Sequence, residues 1–328
     1  MHPDLTNRFD RDLHALLPAG GRLGLAVSGG PDSMALLLLA AAARPGAVEA
    51  ATVDHRLRPE SAAEAVMVAE VCARLGVPHE TLEVEVQSAG NLQAAARAAR
   101  YAALGGWMQA RQLHAIATAH HLDDQAETLL MRLNRGSGVP GLAGVRARGE
   151  LPAEDGGLLV RPVLGWRRAE LQAVCDAAGV RAAEDPSNRD QRFDRVRLRQ
   201  ALAASDFLDP EAIAGSAAHL AEAEAALLWA THQEWLGRVR HTADRVRYRP
   251  SRDAPREIRR RVLLDALLFL DDGIADDPPR GREIAQLLAV LEEGGTATLR
   301  GALCRGGSEW RFERAPLRRP VSSSPPAG

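Results

Sequence analysis

Between Leu23 and Thr118 the chain alternates short apolar runs with Ala/Leu-rich helical stretches, and no other feature limits the fold as much. The pattern predicts strands over 22–28, 48–54, 80–86 and 114–118. It predicts helices over 31–44, 60–75, 91–112 and 123–134, with Gly105-Gly106 as a kink point in the third. Strands that alternate with helices pair in parallel through βαβ crossovers, so the expected fold class is α/β with a doubly wound parallel sheet. Ligands of such sheets bind beyond the carboxyl ends of the strands. Three polar stretches fall at those ends: Ser28-Gly29-Gly30-Pro31-Asp32-Ser33, Asp54-His55 and Ala119-His120-His121.

The rest of the chain reads differently. Residues 147–157 read as a loop, 158–161 as a short strand, and 167–178 as a helix stopped by Gly179. Residues 184–199 are polar, basic and rich in turn formers. Residues 210–236 form an Ala-rich helical connector. The segment that follows mixes strand-like pieces (VRYRP, TATLRGALCR, EWRFE) with one strong helix, REIRRRVLLDALLFL, and predicts a smaller α+β domain. The expected organisation is an α/β domain over 1–209, the connector over 210–236, a small α+β domain over 237–317 and a disordered tail over 318–328. No internal repeat is visible.

Composition removes several function classes. All 41 basic residues are arginine, so a GxxxxGK[ST] phosphate loop and a Schiff-base lysine are both excluded. A GC-rich codon bias accounts for the missing lysine without invoking function. The three cysteines, Cys72, Cys175 and Cys304, form no CxxC, which argues against a disulfide scaffold or a compact cysteine metal site. A net charge of −2 does not announce a nucleic-acid partner. The N-terminus lacks the apolar core of a signal peptide. The longest apolar run, residues 34–43, falls short of the ~20 residues that span a bilayer. No membrane partner is expected, and the expected location is the cytoplasm.

A strand that breaks on glycines into a helix N-terminus makes an anion site from backbone N–H groups, hydroxyls and the helix dipole. Polyphosphate suits it. Asp32 then repels the guest unless a divalent cation joins them, as Mg²⁺ does with one or two carboxylates and phosphate oxygens. The other reading is a loop in which Asp32 or Ser33 caps a helix. In HHLDDQAET, residues 120–128, Asp124 and Glu127 lie three apart on one helix face. A capping box explains one or two of these acids but not the two histidines beside them.

SGGPDS is similar to the SGGxDS pyrophosphate loop of the N-type ATP pyrophosphatases, which adenylate a carbonyl oxygen and release pyrophosphate. HHLDDQAET followed by LLMRLNRGSG resembles the signature of the tRNA(Ile)-lysidine synthetase family. Further matches follow in family order: ARYAAL at 99–104, LVRPVL at 159–164, EDPSN at 184–188 and RVRLR at 195–199. The resemblance spans roughly residues 20–200. Val196 departs from it, since the family usually has an asparagine there that can bond RNA or backbone.

The resemblance implies an α/β fold that uses ATP and Mg²⁺ to ligate L-lysine to the wobble cytidine of tRNA(Ile) with a CAU anticodon. It implies that Ser28, Gly29, Gly30 and Ser33 cradle pyrophosphate, and that Asp32 and Asp124 hold the metal. Asp54 and His55 lie where adenosine would sit, although a surface turn explains His55 equally well. At pH 7 only about one lysine ε-amine in 2,500 is neutral, a cost of roughly 4–5 kcal/mol, so a carboxylate that takes the proton is needed. Glu127 is the first candidate and Asp124 the second. His120 or His121 is either a proton carrier or a buried structural histidine. The catalytic set is then Asp32, Asp124, Glu127 and Arg195, with His121, Glu127, Arg195 and Arg199 toward substrate. Arg195 and Arg199, four apart, suit RNA phosphate or developing phosphate charge, whereas Arg197 reads equally as a solvated face. Arg259-Arg260-Arg261 offers a second phosphate contact, flanked by Glu257 and Asp265. The C-terminal domain is expected to read a tRNA identity element, and a homodimer is left open.

Three alternatives remain. A tRNA thiolase of the same fold commonly needs cysteine pairs, and the spacing here is unsuited. A non-catalytic nucleotide-binding protein has no need of three acids around a polyphosphate. An amidating synthetase would need a glutaminase, and no such motif is present.

Overall fold

The structure is a computed structural model that describes residues 2–17, 21–56, 60–86, 92–154, 156–183, 192, 194–270 and 279–315. The matched residues 184–188 and the tail over 318–328 lie outside the described residues. The chain divides into two compact units, Met1–Ala221 and Glu222–Gly328.

The first unit is built on a six-stranded sheet. Its strands are β1 (Leu23–Ala26), β2 (Val48–Asp54), β3 (His79–Glu83), β4 (Ala115–Ala117), β5 (Arg148–Glu150) and β6 (Leu158–Val160), in the order β3-β2-β1-β4-β6-β5. All neighbours run parallel except β5 and β6. The order reverses direction at β1, whose two neighbours are β2 and β4. That reversal is the switch point at which open α/β sheets bind ligands. The helices are α1 (Pro3–Leu16), α2 (Pro31–Ala43), α3 (Glu60–Leu75), α4 (Leu92–Ala110), α5 (Leu122–Asn134), α6 (Val139–Leu142), α7 (Arg168–Ala177) and α8 (Asp194–Ala204).

Period-2 alternation divides the two faces of the sheet. Leu23, Leu25, Ala115, Ala117 and Val160 join a core with α1, α2, α3 and α7. Ala51, Ile116 and Leu159 point the other way, onto Tyr101, Leu104, Trp107 and Met108 of α4. Gly24 on β1 fits beneath α4 because it has no side chain: a Cβ there would lie 2.6 Å from the Trp107 ring. The α2 run is buried from Ser33 to Ala40, as its uniformly apolar sequence requires.

Several expectations are corrected. β3 stops at Glu83 rather than 86, because its partner β2 ends at Asp54 and only Val84 N–H reaches back, to Asp54 O. The 147–157 stretch holds a strand, β5, that turns back on β6 through Gly156 and Gly157, with φ of +64° and +122°. Gly105-Gly106 does not interrupt the helix. α4 runs through it, and the absent side chain of Gly105 admits Ala153, whose Cβ would lie 2.6 Å from one at Gly105. α1 is an addition: its mixed charges conceal Phe9 and Leu13, which are buried, while Arg8 lies 4.2 Å over the Trp166 ring.

α9 (Pro210–Arg238) carries the chain from the first unit into the second. There β7 (Val239–Thr242), β8 (Arg245–Tyr248), β9 (Thr296–Leu299), β10 (Ala302–Arg305) and β11 (Trp310–Arg314) form an antiparallel sheet in the order β7-β8-β11-β10-β9. Its buried face, through Val246, Tyr248, Cys304, Trp310 and Phe312, packs with α10 (Arg256–Leu270) and α11 (Gly281–Glu292). Two helices stand here where one was expected. α11 buries Ile284, Leu287, Leu288 and Leu291, the spacing of one helical face.

Candidate active site

The loop after β1 is tied by its own serines. Ser28 N–H donates to Ser33 Oγ at 3.1 Å, Ser33 Oγ–H donates to Gly30 O at 2.9 Å, and the two hydroxyls lie 3.2 Å apart. Gly29 takes φ +87°, which costs a glycine nothing. Gly30 is the N-cap of α2 and makes no side-chain bond there, so the first amides of α2 keep their capacity for an anion. Neither Asp32 nor Ser33 is the cap.

This loop opens on a cavity of about 500 Å³ at the carboxyl ends of β1, β2 and β4. Ser28, Gly30, Asp32 and Ser33 line one side, and His55, Thr118, His120 and Asp124 line others. Arg97, Arg100, Arg168, Arg195 and Arg199 complete a cationic wall. At this switch point the guanidinium groups can counter the charge of a polyphosphate directly, and the acids can meet it only through a cation.

The acids divide by function. Asp32 keeps one buried oxygen, Oδ1, with no hydrogen-bond partner. Its Oδ2 lies 3.5 Å from His121 Nε2, and Asp124 Oδ2 lies 3.6 Å from the same nitrogen. These are ion-pair distances, longer than hydrogen bonds. Burial alone would lower the pKa of His121, but Asp123, Asp32 and Asp124 push it up to about 9. His120 behaves oppositely. Burial pulls it down to about 4, so it stands neutral in the cavity wall, 3.0 Å from Thr118 Oγ1. Asp123 is a scaffold residue: it accepts from Arg168 N–H at 2.8 Å at the start of α7.

Asp124 combines both readings made from its sequence. Its Oδ2 accepts His121 N–H at 3.1 Å, closing the N-terminus of α5, while Oδ1 accepts from Arg195 Nη2. Glu127, only 2% exposed, is engaged at both oxygens. Arg195 Nε donates at 2.6 Å and Arg199 Nε at 2.7 Å. α8 thus brings two arginines of one helix face onto the acidic face of α5. Glu127 and His121 stand behind the cavity wall rather than in it.

Asp54 also stands back. It accepts from Arg56 N–H at 2.8 Å and Ser61 Oγ–H at 2.7 Å, shaping the turn from β2 toward α3. His55 does line the cavity, and both its ring nitrogens are buried without a partner. Burial first, then the Arg100 charge, lowers its pKa, so a neutral ring presents unused bonding capacity. Val196, at the family's asparagine position, is buried. The Arg259–Arg261 triplet is consumed by ion pairs: Arg259 with Glu292 at 3.4 Å, Arg260 with Glu257 at 2.6 Å, and Arg261 with Glu224 at 2.7 Å.

Arg97, Arg100 and Arg168 join the wall without having been read as site residues. Arg97 and Arg100 lie three apart in an otherwise alanine-rich helix, a visible signal of a charged stripe. The cysteines are absent from the cavity. Burial pushes Cys72 and Cys175 up to about 11 and Cys304 to about 12, so all three stay protonated.

Residues 5–205 match the PP-loop domain family. Across 315 residues the chain is 47% identical to the tRNA(Ile)-lysidine synthase of Novosphingobium aromaticivorans, covering 95% of this chain and 94% of that one. The chain belongs to the tRNA(Ile)-lysidine synthase family. The family's enzyme from Zymomonas mobilis is 41% identical, over 92% and 91% of the two chains. Among solved structures, a U34-tRNA thiolase from Methanococcus maripaludis superposes with a TM-score of 0.52 at 13% identity, over 69% of this chain and 79% of that one. That likeness concerns the fold. No helix among the described residues is long and apolar enough to cross a membrane.

Proposed function

We propose that the chain ligates L-lysine to the wobble cytidine of tRNA(Ile) with a CAU anticodon, using ATP. The observation that carries this reading is the convergence of SGGPDS with Asp124, Arg195 and Arg199 on one cavity, in a chain of this family. In the first step the cytidine O2 attacks the α-phosphorus of ATP, and the bond to pyrophosphate breaks. In the second, the lysine ε-nitrogen attacks C2, the C2–O bond breaks, AMP leaves with that oxygen, and the amine gives up its proton.

Ser28, Gly29, Gly30 and Ser33 are assigned to the pyrophosphate end. His55, beside the turn shaped by Asp54, has two unpartnered ring nitrogens for the nucleoside. Arg195 and Arg199, aimed by Glu127, face the phosphate charge that develops on transfer. Asp124 lines the cavity, whereas Glu127 stands behind its wall; of the two, Asp124 is better placed to meet the lysine ammonium and accept its proton.

The residues present fit Mg²⁺. Asp32 has a buried, unpartnered oxygen, and Asp124 flanks the same imidazole nitrogen. Two carboxylates would leave the remaining positions of such an ion to substrate phosphates and water. When bound, the ion supplies charge neutralisation to the polyphosphate.

The test is incorporation of labelled L-lysine into a tRNA(Ile) transcript with ATP and Mg²⁺. Wild type is expected to label the RNA only with ATP, and Asp32→Ala to lose at least ~100-fold in rate. Pyrophosphate release without lysine transfer would overturn the assigned nucleophile.

A further inference from the structure

The solvent face of the second unit's sheet carries arginines that its register places in one row. Arg240 on β7 lies opposite Arg247 on β8, Arg247 opposite Arg311 on β11, and Arg311 opposite Arg305 on β10. All four are exposed, while their neighbours Val246, Cys304 and Phe312 point into the core. Strands lie about 4.8 Å apart, so the row extends over about 14 Å.

Like charges directly opposite one another destabilise a sheet. Two glutamates offset part of that repulsion. Glu309 meets Arg311 at 3.0 Å and Arg249 at 2.6 Å. Glu313 meets Arg305 at 3.2 Å and Arg245 at 3.8 Å. Among the described residues, Arg240 and Arg247 pair with no carboxylate; Arg240 donates only to the neighbouring Val239 O. A fold that keeps two uncompensated arginines side by side in a row of four retains a cost that an anionic partner would relieve.

We propose that this row is a contact surface for the phosphate backbone of RNA. The partner rests on the tRNA substrate proposed above. Charge complementarity favours a phosphate chain: the row is linear, guanidinium forks match phosphate oxygens, and an extended polyanion meets several of them at once. Backbone contacts position without reading sequence, so the face holds RNA and does not select it.

The experiment measures binding of tRNA(Ile) and tRNA(Met) transcripts to the full chain, without ATP, between 50 and 200 mM salt. The Arg240→Gln/Arg247→Gln variant is expected to bind both RNAs more weakly, with the slope of log K against log salt shallower by roughly 1.5–2. Its melting temperature should hold or rise, since repulsion is relieved. Glu309→Gln should tighten binding of both. Wild-type affinity and slope in the double variant, or unchanged affinity in Glu309→Gln, overturns the assigned face. A loss seen only with an acidic polypeptide such as polyglutamate also overturns it. Wild type that binds no tRNA at all instead overturns the substrate reading.

Discussion

Glu127 does not line the cavity, yet it holds two of the arginines that do. It is buried and holds Arg195 and Arg199, of which Arg195 is 44% exposed. Replacement by glutamine should release both guanidinium groups from their aim. The expected cost is about 2–3 kcal/mol of stability, below the 3–5 of a wholly buried pair because Arg195 reaches solvent. The rate of lysine transfer should fall more than the KM for ATP rises, and Glu127→Asp should restore part of the rate. A Glu127→Gln enzyme with wild-type kcat would refute the positioning role. Asp32, Asp124 and the two histidines are legible from sequence because a βαβ pattern puts every strand end on one rim. The partners of Glu127 are not, because α8 meets α5 only through tertiary packing.

Elements were legible in proportion to how much of their surface they bury in a regular period. α2 and β2 announce themselves. α1 and α8 do not: each has few buried residues, Phe9 and Leu13 in one, Val196 and Leu202 in the other, among many charges. β3 was overextended because alternation continues past the point where a partner strand exists. β3 also carries a pH dependence. His79 Nε2 lies 2.9 Å from Thr52 Oγ1, and burial holds the ring below its ordinary pKa of 6.5. As pH falls below 6.5 the unfolded chain binds a proton that the native ring resists, so stability is present above 6.5 and is lost on acidification. The slope is at most ~1.4 kcal/mol per pH unit, less for this half-buried ring. Melting temperature should therefore drop from pH 7 to 5, and His79→Gln should flatten the decline; an equally steep variant would speak against it. In the second unit, Arg261 donates to both oxygens of Glu224, linking α10 to α9 with both groups nearly buried. Arg261→Met should cost roughly 3–5 kcal/mol and the double change with Glu224→Leu far less, read by urea denaturation.

At the scale of the whole molecule, a net charge of −2 coexists with two local groups of arginines, five in the cavity wall and four in a row on the second sheet. Bulk charge gives no hint of these arginines, because carboxylates elsewhere or beside them balance them. That balance has a consequence in the cavity. Before substrate arrives, Asp124 is occupied by Arg195. A phosphate that draws Arg195 toward itself takes that partner from Asp124 and leaves a carboxylate in want of a cation. On the reading proposed above, the anions are expected to bind first and the amino acid last. Calorimetric titration should find no lysine binding to the bare enzyme, and binding once a non-hydrolysable ATP analogue and tRNA are both in place. Lysine bound equally well before them would mean that the order of addition is set somewhere other than in this exchange of partners.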